Sequence, residues 1–167
     1  MNNKSVGNLA FLSVAVALSM ILAFVESQIP PLSAVPGVKI GLANIVTVFL
    51  LYKLGAKEAL AVAVIRVLLS ALLFGSFVSL MYSAFGAALS LAVMIPAKRF
   101  LPFSPIGTSV LGAIAHNAGQ ILAALILLGN AAIVYYFVPL VISGILAGIF
   151  VGILGGIVAE RVKLRKR

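Results

Sequence analysis

Ten of the twelve lysines and arginines fall in four places: Lys4, the pair Lys53 and Lys57, the pair Lys98 and Arg99, and the tail Arg161, Lys163, Arg165, Lys166 and Arg167. Between these places the chain is almost free of charge. Two apolar passages separate each basic group from the next, so an even number of membrane crossings returns the chain to the same side every time. Short loops rich in Lys and Arg stay in the cytoplasm. The pattern predicts an all-α integral membrane protein, a bundle of six transmembrane helices with both termini cytoplasmic.

Composition points the same way. A chain that is 63% hydrophobic and 9% charged, with a mean hydropathy of +1.28, would leave a soluble domain without a polar surface. The net charge of +9 does not indicate nucleic acid. Its carriers sit at helix ends, where they orient the protein and meet anionic headgroups of the lipid bilayer. The 167 residues leave room for one bundle and no soluble catalytic domain. With no cysteine and one histidine, neither disulfides nor an ordinary metal site can be built.

The apolar passages run from about 6–25, 38–52, 59–74, 77–97, 106–128 and 131–159. A spanning helix needs about 20 apolar residues, and the second and third fall short. They are expected to tilt little, or to stop short of one surface where protein covers their ends. A cleaved signal peptide is the alternative for the first passage, because Lys4 precedes it. That stretch is long for a signal and lacks a clear small-x-small cleavage site before Glu26.

The loops are unequal. Those at Gly75–Ser76 and Gly129–Asn130 are as short as helical hairpins allow, whereas the outer segment 26–39 carries Pro30, Pro31, Pro36 and Gly37. Prolines so close together forbid a helix and stiffen the segment. A long, stiff outer loop reads as the lid or wall of a binding site, or as a connector across the top.

Polar residues inside the apolar runs are few enough to weigh singly. Arg66 sits midway along the third helix, where insertion costs about 2.5–3.5 kcal/mol on translocon scales. Either it snorkels toward Glu58, two turns away, or it faces a watery cavity and meets an anionic or carbonyl-bearing ligand. The three acids Glu26, Glu58 and Glu160 all fall near expected interfaces. The fifth helix groups His116, Asn117 and Gln120, with His116 and Gln120 on one face. These are either interhelical hydrogen bonders or ligand contacts.

Small residues mark packing faces. Gly144, Gly148, Gly152 and Gly156 recur every four residues on the sixth helix and form a groove in which another helix must lie. The fourth helix repeats Ser79, Ser83 and Ala87, and the first repeats Ser13 and Ala17, or Ala15 and Ser19. Such faces suit close approach within the bundle or between subunits.

The stretch Val35-Pro-Gly-Val-Lys-Ile-Gly-Leu-Ala-Asn44, after a proline-rich outer loop, resembles the signature region of the bacterial "Gx transporter" family, long labelled heptaprenyl diphosphate synthase component I. The layout is also similar to the substrate-binding S components of energy-coupling-factor (ECF) vitamin transporters. That resemblance implies a protein of the bacterial cytoplasmic membrane that is no enzyme. It would capture a small molecule from outside and work with a transmembrane coupling subunit and ATPases.

In S components an Ala-xxx-Ala motif on the first helix docks the coupling subunit. The corresponding candidates here are Ser13, Ala15, Ala17 and Ser19. The pocket would open outward, lined by Lys39, Asn44, Arg66, His116, Asn117 and Gln120 and by the aromatics Phe74, Phe77, Tyr82, Tyr135 and Tyr136. Aromatic faces suit a planar ring, and Lys39 and Arg66 suit anionic groups. Relatives accompany flavin-linked genes, so the resemblance implies a flavin (riboflavin, FMN or FAD) as ligand and no resident cofactor.

Usual prenyl diphosphate synthases hold Mg²⁺ and diphosphate through aspartates, and this chain has no aspartate. A membrane subunit accompanying polyprenyl or quinone synthesis, and a stand-alone small-molecule transporter, are the alternatives.

Overall fold

In hydrocarbon a single segment can satisfy its own backbone only as a helix, and helices are what these apolar runs form. The computed structural model describes residues 3–28 and 41–163, without the side chains of residues 3–5. Among them are six α-helices: α1 (Asn3–Gln28), α2 (Asn44–Lys53), α3 (Ala56–Phe74), α4 (Phe77–Phe100), α5 (Pro105–Leu128) and α6 (Phe137–Arg161). A 3₁₀ helix, Ala131–Tyr136, leads into α6, and no strand occurs among the described residues.

Four stretches are long and apolar enough to cross a bilayer: most of α1, α4, α5, and the 3₁₀ helix continued by α6. Leu72, Leu73, Phe77 and Leu146 stand exposed on the outside of the bundle. Such a surface is stable against lipid and not against water. The chain is a multi-pass membrane protein.

The second helix differs most from expectation. It begins at Asn44 and not at 38, because Gly41, with φ +78°, opens a turn in which the amides of Asn44 and Ile45 donate to the Gly41 and Leu42 carbonyls at 2.8 and 3.1 Å. Residues 38–40 lie outside the described residues. Its ten residues rise only about 15 Å, half the roughly 30 Å of hydrocarbon. The shortfall is tolerable because Val46 to Leu51 are all buried and α1, α3, α5 and α6 pack around them. Protein, not lipid, meets its ends. Gly55, at φ +134°, then makes the sharp link to α3.

The first helix continues through Gln28, so Glu26 belongs to a helix and not to the outer loop. Ser76 and Ser104 start α4 and α5 by accepting the amides of Ser79 and Gly107, both at 3.2 Å. These are ordinary N-caps.

The glycine groove of α6 is filled by α5, which runs antiparallel to it. A Cβ on Gly148 would lie 2.7 Å from Val110 Cα, one on Gly152 2.5 Å from Ile106 Cα, and one on Gly156 3.3 Å from Pro105 Cβ. At Gly144 the neighbour is Asn117 Nδ2, at 2.8 Å. Gly155, one residue round, gives the same close approach to Val48 of α2. Small residues thus let three backbones pack together where no hydrophobic force drives them.

One end of the bundle collects cations on carbonyls near helix C-termini. Lys53 Nζ donates to Ala159 O of α6 at 2.8 Å, and Lys98 Nζ donates to Leu51 O of α2 while lying 5.1 Å above the Tyr52 ring. The Tyr52 hydroxyl donates to Phe103 O at 2.9 Å and lies 2.7 Å from Thr108 Oγ1. Helix C-termini carry unsatisfied carbonyls and partial negative charge, which is what a lysine satisfies. At the opposite end Phe24 meets Phe74 edge-on, with centroids 5.8 Å apart.

Candidate functional site

Helices α1 to α6 enclose a cavity of about 190 Å³ that extends inward from the Phe24–Phe74 end. Its mouth is bounded by Glu26 of α1, Gly41 before α2, and Gly75 and Ser79 at the α3–α4 hairpin. Its depth reaches Ser90 and Met94 of α4 and Ser109 of α5. Beneath that level lies the Tyr52–Thr108 contact. Its wall sets a few polar side chains among a larger apolar lining that includes Val48, Val67, Met94 and Val151.

The structure brings six of the expected lining residues onto this wall: Asn44, Arg66, Phe74, His116, Asn117 and Gln120. Arg66 lies on α3 and reaches across to α2, where its Nη2 donates to Asn44 Oδ1 at 3.2 Å. Its Nε is buried without a hydrogen-bond partner. The snorkelling alternative is corrected here. The guanidinium is turned to Asn44 and the cavity rather than to Glu58 in the first turn of α3. The acid that shares the cavity with it is Glu26, whose charge acts on the guanidinium. Glu26 Oε1 also accepts the backbone N–H of Gly41, tying the end of α1 to the turn before α2.

The α5 group splits between two duties. Asn117 Nδ2 donates to Leu140 O of α6 at 2.6 Å, so this residue joins helices as well as lining the cavity. The His116 ring packs where Gly86 of α4 has no side chain: a Cβ there would lie 2.7 Å from its Cε1. Gln120 lies one turn further toward the mouth on the same face of α5.

Other expected residues lie elsewhere. Tyr135 is 84% exposed, and Phe77 and Tyr136 also face outward, as aromatic rings do at a membrane–water interface. Tyr82 is half-buried and does not line the cavity, which leaves Phe74 as its aromatic. Lys39 and most of the loop 26–39 lie outside the described residues. On α1 the two small-residue faces part company: Ala15 and Ser19 are buried in the bundle, whereas Ser13 and Ala17 face outward.

Reasoning from sequence missed Glu26, Thr47, Ser70, Ser90 and Ser109 on the wall. A signal was there. Ser70 stands one turn beyond Arg66, and Ser79, Ser83 and Ser90 share a face of α4 with Gly86 between them. Among the described residues no three of His, Cys, Asp and Glu come together to hold a metal.

The profile of a protein family described as heptaprenyl diphosphate synthase component I matches residues 15–158. No curated protein and no solved structure matches the chain.

Proposed function

The chain belongs to the heptaprenyl diphosphate synthase component I family, and from that premise we propose that it is a small-molecule-binding S component of an ECF-type uptake transporter. It resides in the bacterial cytoplasmic membrane with six helices crossing and both termini cytoplasmic. It is not an enzyme. It captures a vitamin-like molecule from the outer side and delivers it when a coupling subunit and its ATPases reorient the bundle. The observation that carries this reading is the cavity into which Arg66, Asn44, His116 and Gln120 converge, which opens at the end opposite Lys53, Lys98 and Arg161.

The six-helix topology has its own test, free of background because the chain has no cysteine. Single cysteines at Ser33 and Asn130 are expected to react with an impermeant maleimide in intact cells, and cysteines at Lys57 and Ser104 to stay unreactive until lysis. Labelling of the Lys57 position from outside removes this topology.

A flavin is the candidate ligand. A cavity of about 190 Å³ lies below the roughly 300–1,000 Å³ of sites for drug-sized ligands. Size therefore favours riboflavin or FMN over FAD, with some widening of the mouth. Docking of the coupling subunit falls to Ser13 and Ala17, the outward pair on α1.

The family's description supports a second reading, a membrane partner for a soluble prenyl diphosphate synthase. Copurification separates the two. A tagged chain is expected to bring down a membrane coupling subunit and ATPases. Recovery of a soluble prenyl synthase in their place supports the second reading and refutes the first.

A further inference from the structure

We propose that the ligand of this cavity carries an oxyanion, a carboxylate or a phosphate, with Arg66 as its counter-ion and Asn44 orienting the guanidinium. The inference rests on the cavity being a ligand site and adds the chemical class of what fills it.

A guanidinium offers five N–H donors in a rigid planar fork and keeps its charge under all ordinary conditions. An arginine with a purely structural role at this depth should have that fork filled by acceptors of the chain itself. In this bundle Nη2 donates to Asn44 Oδ1 at 3.2 Å, while Nε is buried with no partner. The cavity's carboxylate, Glu26, is engaged at the mouth with the Gly41 amide.

Asn44 has a defined orientation because its amide oxygen must face the guanidinium. Its Nδ2 hydrogens are therefore left to donate to whatever Arg66 holds. Ser70, one turn along α3 and also on the wall, donates to Met20 Sδ at 3.3 Å. Sulfur is a weak acceptor that a hydroxyl gives up readily for an oxyanion. The site thus offers a fixed fork with two flanking donors. Carboxylates and phosphates are the groups that such a fork matches with two parallel hydrogen bonds. Glu26, which shares the cavity and already lends Arg66 some counter-charge, gives the test its sign, since it repels an anion held there.

The test uses the full chain, purified in neutral detergent at fixed ionic strength and titrated with inorganic phosphate and, separately, with acetate. Calorimetry and the melting temperature report binding. At least one of the two anions is expected to bind. Arg66→Gln should weaken binding about tenfold or more, and Arg66→Lys, which keeps the charge and loses the fork, by a smaller factor. Glu26→Gln should strengthen it, because the amide oxygen still accepts from Gly41 while the repulsion is gone.

Response to phosphate alone places a phosphate on the ligand, and response to acetate alone a carboxylate. Binding of neither anion, equal binding by wild-type and Arg66→Gln protein, or weaker binding by Glu26→Gln overturns the proposal. Should Arg66→Gln fail to fold, the Lys and Glu26→Gln variants decide it. Anion binding through Arg66 in a chain that captures no coupling subunit keeps this site and removes the transport reading. Capture of the coupling subunit without anion binding does the reverse.

Discussion

Replacing Gly152 by valine is expected to prevent the bundle from forming. The first added carbon would lie 2.5 Å from Ile106 Cα and 3.0 Å from Pro105 O. Both atoms are backbone in the first turn of α5, so no rotamer change relieves the clash. Overpacking a core commonly costs about 1–3 kcal/mol where side chains can yield, and a backbone collision is expected at or above the top of that range. The loss matters more in a membrane, where close packing takes over the role that hydrophobic burial has in water.

Two other glycines, one in the same row and one on α1, serve as controls. Gly156→Ala meets only the Pro105 ring, at 3.3 Å, and a side chain at Gly7 meets nothing within 4 Å. Melting temperature and monodisperse yield in detergent should therefore fall steeply for Gly152→Val, slightly for Gly156→Ala, and not at all for Gly7→Ala. Equal behaviour of Gly152→Val and wild type would mean that α5 does not lie in the α6 groove.

That groove was legible in the sequence because four glycines at a spacing of four have few other uses. The long apolar helices and the polar character of Arg66, His116, Asn117 and Gln120 were legible for a similar reason. A polar group at membrane depth is costly, so each one marks a place that protein or ligand must cover.

What could not be read was rotation. A membrane helix is apolar on the side facing lipid and on the side facing protein, so Ala15 and Ala17 look alike in sequence although one is buried and the other faces outward. The same ambiguity sent Tyr135 to the pocket on paper and to the surface in the fold, because an aromatic at the membrane interface suits either place. Glu26 was misplaced for a different reason. No residue between Val25 and Gln28 stops a helix, and the first proline arrives only at Pro30, so α1 carries the carboxylate into the bundle end where it meets the Gly41 amide. The start of α2 depended on the Gly41 turn, which nothing in the hydropathy of 38–44 announces.

Uptake is expected to depend wholly on partners. The chain carries no phosphate-binding glycine loop, and its cavity holds one carboxylate, Glu26, bonded to a backbone amide at the mouth rather than standing in a relay across the bundle. On the proposed reading, the chain by itself couples movement of a solute neither to ATP nor to protons. Binding without accumulation is what such an arrangement supports.

The most direct measurement places the purified chain in liposomes alone, and in parallel with the coupling subunit and ATPases that the proposed function expects it to bring down. Entry of labelled riboflavin and of labelled FMN is then followed with and without internal ATP. Accumulation of one of them against its gradient is expected only when the partners and ATP are both present, and to be lost with Arg66→Gln if the solute is the phosphate-bearing one. Accumulation by the chain alone, with no ATPase in the membrane, would contradict the account.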